Sequence, residues 1–253
     1  LTAVLTQTVA QDQHELADNV AQITTVLERF DTYGKVSFTT DPEEYGRFWS
    51  IRSGIFPTVG GMRQPGTTCL IEDVAFHIED LAEAVTDLSD LLEKHGYLDS
   101  CIYGHALEGN FHFIINQSFA TEEDVRRYKS MINDVAALVV DKYDGSLKAE
   151  HGTGRNMAPY VEYEWGSRAF EVMKKIKEIF DPHNLLNPGV IFNEDPECCF
   201  KNFKALPLLA PAEGAGDDMK EAFVRLNKCI ECGFCEVNCV SCGFTLSSRT
   251  RIA

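Results

Sequence analysis

The 253-residue chain has no apolar run approaching the roughly 20 residues needed to cross a bilayer, so nothing in it reads as a membrane span. Its opening, Leu1 to Ala10, lacks both the basic start and the long apolar stretch of a secretory leader. Basic residues are scarce: 23 Lys and Arg stand against 39 Asp and Glu, a formal net charge of −16. Such a balance argues against a protein that grips a phosphate backbone or adsorbs to anionic lipid. A glycine-rich loop able to cradle a dinucleotide pyrophosphate is also missing, because Gly152-Thr153-Gly154 is too short to form one. The chain begins on Leu1 rather than Met and stops just after Arg249 and Arg251, so it reads as a portion of a longer protein.

What is present supports a folded core. Apolar residues make up 44% of the chain and aromatics 10%, enough for one substantial domain plus a small appendage. Leu16, Val20, Ile23, Val26, Leu27 and Phe30 recur at helical spacing, predicting a helix over 11–31. Lys35 to Phe38 is a short strand candidate. Asp41-Pro42 then opens a second helix, with Asp as cap and Pro in the first turn. Gly60-Gly61 and Pro65-Gly66 predict a ligand-facing or mobile loop.

The middle is more regular. Thr68–Ile78 reads as a strand, Asp80–His95 as a helix, and Leu98–His105 and Asn110–Gln117 as strands joined through Gly109. Thr121–Tyr143 reads as a helix opened by a capping box of Thr121 and Asp124, and Leu147–Glu150 as a last strand. The order β-α-β-β-α-β predicts an α+β, ferredoxin-like (split β-α-β) fold: an antiparallel sheet with helices on one face. One more helix spans Tyr160–Phe180. From 194 to 217 the composition turns to Pro and Gly, and a short helix from Asp218 to Leu226 follows. The expected organisation is a cap or substrate domain over 1–193, a linker over 194–217, and a cysteine-rich segment over 218–253.

Nine cysteines is an odd number, and four of them fall at Cys229, Cys232, Cys235 and Cys239. Thiolates at this x2, x2, x3 spacing suit a [4Fe–4S] cluster, as in bacterial ferredoxins. Val240 stands where those runs carry Pro, and no second run is present. A four-cysteine zinc knot or a reduced loop is the plainer alternative, with Cys242 a spare thiol or substitute ligand. A second constellation comprises His105, His112 and the pair Glu150-His151. Two imidazoles and a carboxylate suit a divalent ion such as Zn, Mn or Fe. The plainer alternative is a set of packed or surface histidines. Neighbours on a strand point to opposite faces, so Glu150 and His151 share a site only if the chain bends there, as Gly152 and Gly154 allow.

These residues carry a resemblance. Gly104-His105 through Gly109-Asn110-Phe111-His112 resembles the GH…GNxH motif of FAD-linked dehydrogenases of the vanillyl-alcohol-oxidase superfamily. Glu150-His151-Gly152-Thr153-Gly154 resembles their EHG motif, and Asp181-Pro182 through Asn187-Pro188-Gly189 their closing DP…NPG segment. Cys229-Ile230-Glu231-Cys232-Gly233-Phe234-Cys235 resembles the ferredoxin-type extension of large bacterial fusions of that family. The resemblance implies that His105, His112 and Glu150 hold a divalent metal and that His151 is the catalytic base. It implies FAD bound mainly by an N-terminal half lying outside this chain, with no turnover by the chain alone. It assigns the substrate carboxylate to Arg52, whose guanidinium fork suits it, and a further substrate contact or a turn-holding role to Asn110. Phe56 stands where relatives acting on dicarboxylates carry threonine, and Arg63 is a second candidate for the carboxylate. Arg155 is a candidate for a supporting role behind the site.

The function expected is oxidation of a D-2-hydroxy acid, D-lactate or D-2-hydroxyglutarate, to the 2-oxo acid, with electrons leaving through iron–sulfur clusters to a downstream acceptor. The alternative is an electron-transfer or interaction subunit of a glycolate-oxidase-type assembly without its own substrate site. A flavin-free metallohydrolase is a third reading, one that leaves the cysteine run without a purpose. No nucleic-acid partner is expected. A homodimer is compatible with the acidic cap, and the expected location is the cytoplasm or the periphery of a membrane.

Overall fold

The computed structural model describes residues 2–203, 208–229, 233, 235–241 and 243–246. The chain divides into two compact units, Leu1–Ile55 and Phe56–Ala253. The first carries two helices. In α1, Gln13–Leu27, the Asp12 carboxylate accepts the N–H groups of His14 and Glu15, which the first turn cannot satisfy internally. In α2, Pro42–Ser53, Asp41 caps in the same way and Pro42 takes the first turn. The strand expected at Lys35–Phe38 does not form: the segment has no regular structure and pairs with no strand among the described residues.

Helix α3 spans Ile55–Met62, so Gly60-Gly61 lies inside a helix rather than in the expected loop. Ile55, Phe56 and Val59 share one helical face, and that pattern outweighs the roughly 1 kcal/mol that each glycine costs. Strands β1 (Thr68–Ala75), β2 (Cys101–His105) and β3 (Asn110–Gln117) form one antiparallel sheet in the order β1-β3-β2. Helix α4, Leu81–Lys94, joins β1 to β2; α5, Glu122–Ala137, follows β3 and continues as a wider turn through Lys142. The Thr121–Asp124 capping box forms in both directions. Later come α6, Val161–Phe180, and α7, Asp217–Leu226.

Alternation decides which face is which. Val74, Phe113 and Ile115 point to the helix side, where they pack with Leu88 and Leu92 of α4 and Met131 and Val135 of α5. Each of these buried side chains contributes about 1.5–3 kcal/mol by leaving water. Tyr103, His105, Asn110, His112 and Asp73 occupy the opposite face, since cross-strand partners share a side. The α+β sheet with helices on one face is as expected, with one correction. Leu147–Glu150 is not a fourth strand: only Ser146 bridges to Ala75 at the free edge of β1. The chain beyond it is drawn off by side chains of β1. No helix among the described residues is long and apolar enough to cross a membrane.

Candidate active site

The hairpin between β2 and β3 brings His105 and His112 together. In register, His105 pairs with Asn110 and Tyr103 with His112, so both imidazoles stand on the same face. The glycines of this segment are needed for that close pairing. A Cβ on Gly104 would sit 2.2 Å from the Asn110 carbonyl oxygen, and Gly109 adopts φ +64° with Phe76 O in the way of any Cβ. The two rings meet edge to face at 5.6 Å.

Glu150 reaches them from the segment after Ser146. Its Oε1 lies 2.9 Å from His112 Nε2 and 3.3 Å from His105 Nε2. His112 is nearly inaccessible, with a side chain 4% exposed, whereas His105 and Glu150 are 43% and 50% exposed. The site is therefore closed behind and open in front. Burial pushes the His112 imidazole below the usual histidine range, and the adjacent His151 adds to this against the opposing pull of Glu150 and Asp73. A neutral imidazole is the form that binds a metal. The His151 ring lies parallel to His112, centroids 4.8 Å apart. Glu150 and His151 thus both lie against His112, because the chain here is an arch rather than a strand.

What makes the arch was not foreseen. Asp73 is wholly buried, and its Oδ2 accepts the N–H groups of Ala149, Glu150 and His151 at 3.0, 2.7 and 3.2 Å. Burial works to raise the Asp73 carboxyl, but the N–H groups of Glu150 and His151 and the charge of Lys148 outweigh it and hold it below the usual carboxylate range. Next to it, Glu72 pairs with Lys148 and accepts the Asn156 amide at 2.5 Å. A signal was available: Glu72-Asp73 is a pair of acids inside the otherwise apolar strand Leu70–Val74, and buried charges require partners.

The other expected residues are placed as follows. Asn110 is buried and donates through Nδ2 to Val74 O at 3.1 Å, tying β3 to β1. Arg52 lies on α2 in the first unit, 6.0 Å from the Trp49 ring centroid. Arg63 is no carboxylate ligand here. It is buried, and its N–H groups go to the carbonyls of Gly60, Thr67, Asn227, Lys228 and Cys229. Arg155 donates to Pro188 O, tying the EHG segment to the DP…NPG segment. In that second segment the Asp181 carboxylate accepts the N–H groups of Leu185 and Leu186, both at 2.8 Å. Of the cysteine run, Cys229, Cys235 and Cys239 are described, following α7; Cys232 and Cys242 lie outside the described residues.

Comparison with known proteins places the chain in a family. Residues 2–191 match the family described as FAD linked oxidases, C-terminal domain. The mitochondrial D-lactate dehydrogenase [cytochrome] of Arabidopsis thaliana is 32% identical over 163 residues, covering 64% of this chain and 28% of that protein. The glycolate oxidase subunit GlcD of Bacillus subtilis is 24% identical over 177 residues, 70% of this chain and 36% of that one. The D-2-hydroxyglutarate dehydrogenase of Stutzerimonas stutzeri is 29% identical over 153 residues, 59% of this chain and 32% of that one. The chain spans about a third of the length of these relatives. With the family match covering most of its residues, the chain belongs to the FAD linked oxidases, as their C-terminal domain.

Proposed function

We propose that this chain is the substrate-facing part of an FAD-dependent dehydrogenase that oxidises a D-2-hydroxy acid, of the D-lactate or D-2-hydroxyglutarate type, to its 2-oxo acid. The observation that carries the reading is the convergence of His105 Nε2, His112 Nε2 and Glu150 Oε1, with His151 stacked alongside. The ligand atoms of the three lie within 4.8 Å of one another, and the donor set of two imidazoles and one carboxylate fits Zn, Mn or Fe. Bound there, such an ion would supply positive charge to the hydroxyl and carboxylate oxygens of the substrate. FAD, expected to be held chiefly by a part of the enzyme other than this chain, would supply the acceptor for the C2 hydride.

The chain's own residues do the rest. His151 takes the 2-hydroxyl proton, the role of a general base. His112 is buried behind, and the exposed faces of His105 and Glu150 leave the approach open in front. Arg52 is assigned the substrate carboxylate on the chemistry of its fork. Asn110, held through Nδ2, is assigned a contact through Oδ1. A [4Fe–4S] cluster on Cys229, Cys232, Cys235 and Cys239 is the proposed exit for electrons towards a downstream acceptor; the spacing of the run supports it.

The test is an anaerobic titration of the flavoenzyme containing this chain with D- and L-2-hydroxy acids, following the flavin absorbance. Bleaching by one D-acid establishes the reaction class. If no acid bleaches a flavin that dithionite reduces, the dehydrogenase reading fails and the electron-transfer alternative replaces it. In parallel, chelator-free protein should contain one non-cluster divalent ion that His112→Ala loses.

A further inference from the structure

We infer that Asp73 is the positioning residue of the base: one buried carboxylate that turns Glu150 and His151 into a common site and sets which ring nitrogen of His151 carries the proton. The inference rests on the dehydrogenase reading and deepens it.

In a strand, successive N–H groups point to opposite sides, so no single atom can receive three in a row. Asp73 Oδ2 receives those of Ala149, Glu150 and His151. Three consecutive N–H groups on one anion form a nest, a concave arch rather than an extended chain. The arch replaces the ladder that Leu147–Glu150 would otherwise make against β1, whose register ends at the single Ser146–Ala75 bridge. It also lets two adjacent side chains converge, Glu150 on the two histidines and His151 along the ring of His112.

The second oxygen faces the rings. Asp73 Oδ1 and His112 Nδ1 are buried polar atoms without a hydrogen-bond partner among the described residues. His151 Nδ1 lies 3.6 Å from that same Oδ1, and the ligand atoms of Asp73, His112 and His151 fall within 4.8 Å of one another. A carboxylate oxygen only accepts. It therefore favours the proton of neutral His151 on Nδ1, which places the lone pair on Nε2. His112 instead points Nε2 at the Glu150 carboxylate, 2.9 Å away, so in the neutral ring the proton sits on Nε2 and the buried Nδ1 is left without one. Lys148, 3.5 Å from Oδ1, keeps the carboxylate charged without taking over either ring.

Asp73→Asn separates the two duties. Its amide oxygen can still receive the three N–H groups, so the arch stands. Its NH2 replaces the acceptor at Oδ1 and donates to His151 Nδ1, moving the ring proton to Nε2. The measurement is the long-range 1H–15N imidazole spectrum of the full chain, at a pH where the rings are neutral. We expect His151 as the Nδ1–H tautomer, changing to Nε2–H in Asp73→Asn. In the holoenzyme the same variant should keep its metal content, with kcat for flavin reduction lowered about 10²–10⁴-fold and KM changed less than about threefold. An unchanged tautomer, or loss of metal in step with activity, overturns the inference and leaves Asp73 as a scaffold for the loop. His151→Ala is run beside it. If that variant reduces flavin normally, the base assignment fails, while the tautomer spectra still decide what Asp73 does to the ring.

Discussion

The pair Glu72–Lys148 offers a quantitative check on how the EHG segment is held. Both side chains are almost fully covered, 7% and 10% exposed. Removing one partner of a buried pair strands the other charge, a loss of about 3–5 kcal/mol. The structure orders the variants within that range. Glu72→Gln keeps an acceptor for Asn156 and leaves Lys148 within 3.5 Å of Asp73, so its cost falls at the low end, about 3 kcal/mol. Lys148→Met leaves two neighbouring buried carboxylates without their cation and falls at the high end, about 5 kcal/mol. The double variant removes the stranded charge, so it should cost less than the sum by about 2 kcal/mol or more. Native-state hydrogen exchange of the β3 amides reports the unit that contains the pair. The low-end loss appears as exchange on the order of 10²-fold faster. A Glu72→Gln cost under about 1 kcal/mol, or strict additivity in the double variant, would refute the view that a desolvated pair pins this segment.

Three further outcomes follow from other parts of the molecule. Gly109→Ala must hold a left-handed φ of +64° and press its Cβ against Phe76 O, 2.1 Å away, so we expect at least about 2 kcal/mol of destabilisation in chemical unfolding; an effect below about 0.5 kcal/mol would show that the hairpin relaxes freely. Asp181 is held down to about 2, first by the Lys177 ammonium and then, against desolvation, by the N–H groups of Leu185 and Leu186. Because its folded pKa lies below the unfolded value of 3.8, its contribution is complete above about pH 4 and lost as pH falls towards 2; Asp181→Asn should flatten the acid limb of the stability profile, and an unchanged limb would exclude it. Arg63→Lys cannot replace a fork that serves five carbonyls. Limited trypsin digestion should therefore cut after Lys228 at least about tenfold faster in that variant; equal rates would mean that Arg63 does not hold the approach to Cys229.

Much of the fold was legible because its signals are local. Asp12, Asp41 and Thr121 cap their helices by reaching N–H groups two or three residues away, and such caps are written in adjacent positions. The Asn110–Gln117 strand matches its expected ends, since a central strand is bounded by its own pattern and by Gly109. The donor residues were legible as types and spacings. Where local preference competes with a distant partner, the reading failed. Gly60-Gly61 suggested a loop, but the apolar face of α3 prevails. Arg63 looked available for a substrate, but carbonyls some 165 positions away take its donors.

Composition and motif spacing by themselves determined the class of the protein: an acidic α+β domain with two histidines, a glutamate–histidine pair and a cysteine run. Only the tertiary structure decided how the pair is placed. Leu147–Glu150 has a sequence fit for a strand, yet Asp73, far away in sequence, offers three of its N–H groups a buried anion in place of the carbonyls of a neighbouring strand. A hydrogen-bonding choice between partners some 75 residues apart leaves no trace in local pattern, because its outcome depends on which acceptor the folded sheet carries to that edge.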